Sequence, residues 1–331
     1  LTVQPATNIH EPAPALALTE AIAGLCKAAS DPLRIDIVRV LSKESFGVQE
    51  LARIVGIPQP GMSHHLKILA RSGLLEARRQ GNSIFYRRAL LRGNDPLTQL
   101  RASVYQTIDA LPLAETFGQR MSAVYQERSQ QSRDFFARNA GRFAEQQGML
   151  CELDQYLPNM CELLDLMALP ATARVMEVGP GKGELLDQLA HRYAHLVALD
   201  NSGEMLELAR NQAEGKNRKI HFVHASLEDY PIDTVRFDAV VINMVLHHMS
   251  SPQRAMRKLG QLVQAGGYLL VADLCSHNQE WTRESCGDVW LGFDPEELEE
   301  WAAHAGFTAR QSLYLGLKNG FQIQLRLFRK S

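Results

Sequence analysis

Cysteine is scarce and unpatterned in this chain of 331 residues: Cys26, Cys151, Cys161, Cys275 and Cys286 are scattered, odd in number and never in a Cys-x-x-Cys spacing. This excludes a disulfide framework and a thiolate zinc ribbon, and fits reduced thiols in a cytoplasmic protein. A basic leader is missing too, the first charge being Glu11, and no apolar run reaches the roughly twenty residues of a membrane span. A cytoplasmic protein with no membrane partner is expected. Neither an internal repeat nor a low-complexity tract is present. Net charge is nearly absent at −2, but the balance hides an asymmetry. Residues 1–95 carry +4 and the remainder −6. Between positions 53 and 92, Arg53, Lys67, Arg71, Arg78, Arg79, Arg87, Arg88 and Arg92 stand against Glu76 alone. A net +7 in forty residues is the electrostatic footprint of a nucleic-acid partner.

The length allows two or three domains, each with its own core. Residues 1–15, with Pro5, Pro12 and Pro14, read as a disordered lead-in. Leu18, Ile22, Leu25 and Ala29 mark a first helix, and Asp31-Pro32 caps and starts a second. Helices at 48–55 and 59–72, separated by Gly56-Ile57-Pro58, have helix-turn-helix spacing. Leu74–Arg79 and Ser83–Arg88, joined by Gln80-Gly81-Asn82, form a hairpin with a basic tip. Leu97, Leu100, Val104, Ile108 and Leu111 paint one face of a helix, an exposed stripe that invites a partner helix. From Glu115 to Asn139 the chain reads as a long, largely solvated connecting helix. Beyond residue 145 helical segments alternate with strands near 174–178, 196–200, 219–224, 237–242 and 267–273, which predicts a parallel sheet covered on both faces.

Residues 20–95 resemble the winged helix-turn-helix of the ArsR family of bacterial repressors. The resemblance is carried by ASDPLRIDIVRVL (29–41), VQELARIVGIPQPGMSHHLKIL (48–69) and SGLLEARRQGNSIFYR (72–87). It implies that the second helix of the motif enters the major groove of double-stranded operator DNA and that the wing lies along the backbone or the minor groove. Gln59, Ser63, His64 and His65, near the start of that helix, are placed to reach base edges or phosphates, and Lys67, Arg78 and Arg79 to contact phosphate. Many members hold a metal through a Cys-Val-Cys motif; here the matching positions are Gly47-Val48-Gln49, and helix 96–112 has no histidine or cysteine. No metal is therefore expected.

Residues 177–183 read Glu-Val-Gly-Pro-Gly-Lys-Gly after an apolar strand, and Asp200 closes the next apolar run. Glycines there tighten the turn and admit close backbone approach, while the carboxylate can accept ribose hydroxyls. The Gly-x-Gly-x-x-Gly fingerprint of dinucleotide enzymes is missing. With Leu199–Ser202, FDAVVINMVLHHM (237–249) and LVQAGGYLLVADL (262–274), residues 133–275 instead resemble class I S-adenosylmethionine-dependent methyltransferases. That resemblance implies cofactor contacts at Glu177, which helps orient the ammonium end, and at Gly179, Gly181, Gly183, Asp200, Asn201 and Asn243. At the family's adenine-binding Asp this chain has Ser226, and Leu227 covers the ring. Either His247 or His248 is a candidate general base. The tail 276–331, with Trp281 and Trp290, is expected to finish the sheet and cover the pocket.

The expected architecture is α/β: a winged helix-turn-helix domain (16–95), dimerisation and linker helices (96–145) and a Rossmann-like class I methyltransferase domain (146–331). A fusion of this kind resembles regulators of the methionine and S-adenosylmethionine cycle. The first expectation is a homodimeric repressor whose effector is S-adenosylhomocysteine or S-adenosylmethionine. The alternative is an active small-molecule methyltransferase with an autoregulatory DNA-binding domain. A methyltransferase acting on nucleic acid is weakest, because the Asn/Asp-Pro-Pro-Tyr/Phe signature of amino-methylating DNA enzymes is missing.

Overall fold

Asp31 caps the second helix as its position predicts: its carboxylate accepts hydrogen bonds from Leu33 N at 2.8 Å and Arg34 N at 3.2 Å. The computed structural model describes residues 14–42, 44–93, 95–139, 141, 148–213, 220–232 and 236–331. Of the lead-in expected over 1–15, residues 1–13 lie outside these; helix α1 (Pro14–Ala29) already begins at Pro14. Residues 140 and 142–145 of the expected linker lie outside as well. The chain divides into two compact units, one of residues up to Arg79 with Ser83–Met121, the other of Gln80–Asn82 with Ser122–Ser331.

The first unit holds α1, α2 (Pro32–Val40), α3 (Val48–Val55) and α4 (Gln59–Arg71). Strands β1 (Phe46–Gly47), β2 (Leu75–Gln80) and β3 (Ser83–Arg88) form a sheet in the order β1-β3-β2. Gly56 ends α3 in the left-handed region, φ 84°, which favours glycine and turns the chain into α4. Ile37, Leu51, Ile54, Met62, Leu66 and Leu69 are fully buried and hold the two motif helices on α2.

Helix α5 (Thr98–Asp109) corrects the expectation of a wholly exposed stripe. Leu97 and Ile108 are buried, Leu100 and Val104 half-buried, and only Leu111 is exposed. The reason is that α5 packs on α2, where Arg88 makes a two-pronged ion pair with Asp109 at 2.7 and 2.9 Å and Tyr105 Oη donates to Leu74 O at 2.7 Å.

Helix α6 (Glu115–Asn139) follows, and α7 (Leu157–Leu166) leads into a sheet of seven strands. These are β4 (Arg174–Val178), β5 (His195–Asp200), β6 (Ile220–His224), β7 (Phe237–Asn243), β8 (Val263–Leu274), β9 (Phe307–Gly316) and β10 (Gln322–Lys330). Helices α8 (Glu184–Arg192), α9 (Gly203–Ala213), α10 (Pro252–Leu262), α11 (Trp281–Ser285) and α12 (Pro295–His304) intervene. The order is β6-β5-β4-β7-β8-β10-β9; the first five run parallel, and β10 and β9 are added antiparallel. Unbroken burial over Val175–Val178 and Ala239–Ile242 is that of strands covered on both faces. The order reverses at β4, so the loops leaving β4 and β7 diverge and open a crevice at the carboxyl ends of the strands.

Candidate functional site

The crevice is a cavity of about 720 Å³. The loop after β4 forms its floor. Gly179 sits at φ 66° and donates its N–H to Leu199 O at 2.8 Å, which ties the loop to the end of β5. A Cβ on Gly179 would meet Val245 Cγ2 at 2.4 Å, so only glycine lets the exits of β4 and β7 lie this close. Gly181, at φ 57°, also lines the cavity. Gly183 does not: a Cβ there would meet the Ala209 carbonyl oxygen at 3.0 Å, and its role is to let α8 start against α9.

Asp200, Asn201, Ser226, Leu227 and Asn243 all line the cavity. The Asp200 carboxylate accepts the Ser202 N–H at 2.8 Å, and burial raises its pKa to about 6 despite that bond. Ser226 brings an acid with it: its hydroxyl donates to Asp229 Oδ2 at 2.7 Å, and Asp229 reaches the cavity. A carboxylate thus stands three residues beyond the position where the sequence comparison looks for one. Glu177 lies behind the wall rather than in it. Its side chain is buried, Oε2 has no hydrogen-bond partner, and burial raises the carboxyl to about 8. An orphaned carboxyl oxygen beside a cavity fits a cationic ligand group that would complete it.

The two histidines separate. His247 is sealed, with Nδ1 2.7 Å from Asp273 Oδ1 and Nε2 3.7 Å from Asp288 Oδ1. Burial alone would depress its pKa, but the two carboxylates prevail and raise it to about 9. His248 lines the cavity, with Nδ1 3.2 Å from the Gly287 carbonyl oxygen. Donor atoms of His247, His248 and Asp288 lie within 4.8 Å of one another, a spacing a divalent cation can bridge. As placed, His248 Nδ1 faces the Gly287 carbonyl oxygen, His247 Nδ1 is bonded to Asp273, and His247 Nε2 and both Asp288 carboxylate oxygens have no hydrogen-bond partner among the described residues.

Helix α6 supplies the wall that sequence reasoning missed. Tyr125, Ser129, Ser132, Arg133 and Phe136 face the cavity, so this part of the helix is not the solvated connector its composition suggests. Three contacts fasten it: Arg128 donates to Ser250 O at 3.0 Å, the Arg254 guanidinium lies 4.8 Å from the Tyr125 ring centre, and the Phe136 ring meets His248 edge-on at 4.9 Å. The recurrence of 125, 129, 132 and 136 is a helical stripe, legible only if serine and tyrosine are counted with the apolar residues. Tyr156, also missed, donates to Asn243 Oδ1 at 2.9 Å. No residue after Arg254 lines the cavity, so the tail finishes the sheet but does not cover the pocket.

On α4 the exposed face carries Gln59, His64 and Lys67, while Met62, Leu66 and Leu69 point inward. Ser63 and His65 are half-buried, and His65 Nδ1 is shielded from solvent with no hydrogen-bond partner. Arg78 is half-buried and Arg79 exposed on β2.

Two family models match, a methyltransferase domain over residues 176–271 and a helix-turn-helix domain over 29–78. An uncharacterized methyltransferase of Mycobacterium tuberculosis is 38% identical over 109 residues, 33% of this chain and 54% of that protein. A demethylmenaquinone methyltransferase of Clavibacter sepedonicus is 34% identical over 103 residues, 31% of this chain and 42% of the relative. The chain thus spans about half the length of these curated relatives. Magnesium protoporphyrin IX methyltransferase of Synechocystis, solved with bound SAH, shares the fold with a TM-score of 0.51 at 14% identity, over 62% of this chain and 100% of that one. The chain thus joins a helix-turn-helix module to a Rossmann-like mixed sheet of the kind typical of class I methyltransferases.

Proposed function

We propose that this protein is an S-adenosylmethionine-dependent methyltransferase of a small molecule, carrying an ArsR-type winged helix that binds double-stranded operator DNA and regulates its own genes. One observation carries the reading: a glycine loop, a buried acid at the end of the second strand and a polar exit from β7 converge on one cavity at the reversal point of the sheet. Asp200 binds the ribose hydroxyls, Asn243 faces the reacting end and Leu227 covers the adenine. Loss of a charged hydrogen bond costs about 1.5–3 kcal/mol, so Asp200→Ala should bind S-adenosylhomocysteine about 10–150-fold more weakly in calorimetry. An affinity within twofold of the parent would remove the ribose assignment. Turnover is read by transfer of a radiolabelled methyl group to a metabolite.

The effector reading has its own support. Helix α6 bears Arg120, which donates to Ile54 O at 3.1 Å near the turn of the helix-turn-helix, and further along it bears the cavity wall from Tyr125 to Phe136. A ligand that prefers one placement of α6 would shift DNA affinity by its differential binding, typically about 1–3 kcal/mol. Operator DNA titrated with S-adenosylhomocysteine and with S-adenosylmethionine measures it, and unchanged affinity with both ligands removes the sensor.

For the DNA-reading half, Lys67, Arg78 and Arg79 hold phosphates, and Gln59, Ser63, His64 and His65 lie along the groove, in a homodimer paired through Leu100, Val104 and Leu111. Arg78→Ala with Arg79→Ala should weaken binding to all sequences alike and lower the salt slope by about 0.9 for each lost contact. Fluorescence titration at several salt concentrations reads the slope, and light scattering the dimer. An unchanged slope would show that the wing does not touch the backbone.

A further inference from the structure

We propose that His248 is the general base of the methyl transfer and that the acceptor accordingly presents a hydroxyl group; this rests on the methyltransferase reading above. The adjacent histidines are differently employed. His247 is fully buried, with Nδ1 on Asp273 at 2.7 Å and Nε2 shut off from the cavity, 3.7 Å from Asp288 Oδ1 and without a hydrogen-bond partner among the described residues. His248 keeps a face on the cavity. The Gly287 carbonyl oxygen, 3.2 Å from its Nδ1, can only accept, so the proton of the neutral ring sits on Nδ1 and the lone pair on Nε2. Nε2 has no hydrogen-bond partner among the described residues.

The surroundings keep this ring in its basic form. The His247 ring lies 4.0 Å away from one side, Asp288 Oδ1 3.9 Å from Nδ1 in the loop after α11, and the uncharged Phe136 edge 4.9 Å away on α6. Burial first, and then the positive charge of His247, hold His248 well below the ordinary histidine range. The loop carrying Asp288 is itself clamped, since Val289 N and Trp290 N both donate to His247 O, at 3.1 and 3.0 Å. His247, Asp273 and Asp288 are thus positioning residues for a base that they do not replace.

The chemistry selects the acceptor. A neutral amine attacks with its own lone pair and loses its proton afterwards, whereas a hydroxyl is a weak nucleophile until its proton departs. In the step, the acceptor oxygen forms a bond to the methyl carbon and the carbon–sulfur bond breaks. Its electron pair returns to sulfur, leaving a neutral thioether, and the hydroxyl proton passes to His248 Nε2. The resulting imidazolium releases the proton to water. Tyr156 cannot serve in its place: its hydroxyl is committed to Asn243, and burial pushes its pKa well above the usual phenol value.

The test uses the full chain, tritiated-methyl S-adenosylmethionine and a methanol extract of small metabolites, with products identified by mass spectrometry. The expected result is a product methylated on oxygen. His248→Ala and the shape-retaining His248→Gln should lower kcat about 100- to 10,000-fold while calorimetric affinity for S-adenosylhomocysteine stays within twofold. Added imidazole should restore part of the activity of His248→Ala, which a packing role would not allow. Methylation on nitrogen or sulfur, a kcat within threefold of the parent, or a stoichiometric transition metal lost from the purified protein on His248→Ala would each overturn the base while leaving the enzyme standing. Cofactor binding with no labelled product overturns the methyltransferase reading and the base with it.

Discussion

Asp273→Ala should lower the stability of the methyltransferase domain by about 3–5 kcal/mol, the cost of stripping one partner from a buried charge. Asp273 has no exposed surface, and its carboxylate accepts three N–H groups: His247 Nδ1 at 2.7 Å, His247 N at 3.3 Å and Leu274 N at 2.7 Å. Without it His247 must either stay charged beside Asp288 alone or lose its proton. For a domain of this size the loss corresponds to a fall in melting temperature of about 10 °C. The pH signature is specific. Because the folded pKa of His247 is raised to about 9 from 6.5, its stabilisation is complete below the unfolded value and disappears as pH rises through the folded one. The parent should therefore lose stability between pH 6.5 and 9, and the variant should lose that slope. A variant melting within 2 °C of the parent, with the same pH slope, would show that the triad stores no energy; the threshold is roughly 1 kcal/mol.

Glu177→Gln should separate stability from binding. The folded carboxyl titrates near 8 against 4.5 unfolded, so the folded state holds a proton that the unfolded state has already released. Stability contributed by this group is present below pH 4.5 and is lost as pH rises toward 8, to the extent of about 3 kcal/mol by neutral pH. The glutamine variant has no such titration. Its stability relative to the parent should improve by that amount between pH 4.5 and 7, measured by denaturant unfolding at both values without cofactor. Affinity for S-adenosylhomocysteine should fall in the same variant, since an ammonium group would draw the proton off the carboxyl and the amide cannot ionise. A constant difference across that pH interval would mean that Glu177 is ionised in the folded protein and stabilised by a partner other than ligand. A carboxyl kept at a stability cost beside a binding cavity is the kind of trade that function imposes.

Each half of the fold was legible for a local reason. Asp31-Pro32, Gly56 and the Gly179–Gly183 loop act on their own backbone, through a cap, a left-handed φ and a tight turn, and such effects are written within a few residues. Apolar runs likewise predict β4, β7 and the end of β8, because a strand buried on both faces has little choice of side chain. The antiparallel addition of β10 and β9 is a matter of which edge remains free, and no local signal carries it.

The candidate site divides in the same way. Asp200, Asn201, Ser226, Leu227 and Asn243 sit at strand ends, and strand order alone gathers them. Gly183 was assigned to the ligand although its neighbour is Ala209, because a glycine records that space is short without naming what fills it. Asp288 and Asp273 are 41 and 26 residues from His247, and nothing local couples them. The sequence by itself determined the two domains, the glycine loop and its acid, since these depend on backbone geometry and periodicity. Only the tertiary structure decided that α6 walls the cavity, that Leu97 and Ile108 are covered within the chain, and that one histidine is sealed while its neighbour keeps a face on the cavity. Burial and partner charge set what a side chain can do, and both are properties of the packed chain rather than of any segment of it.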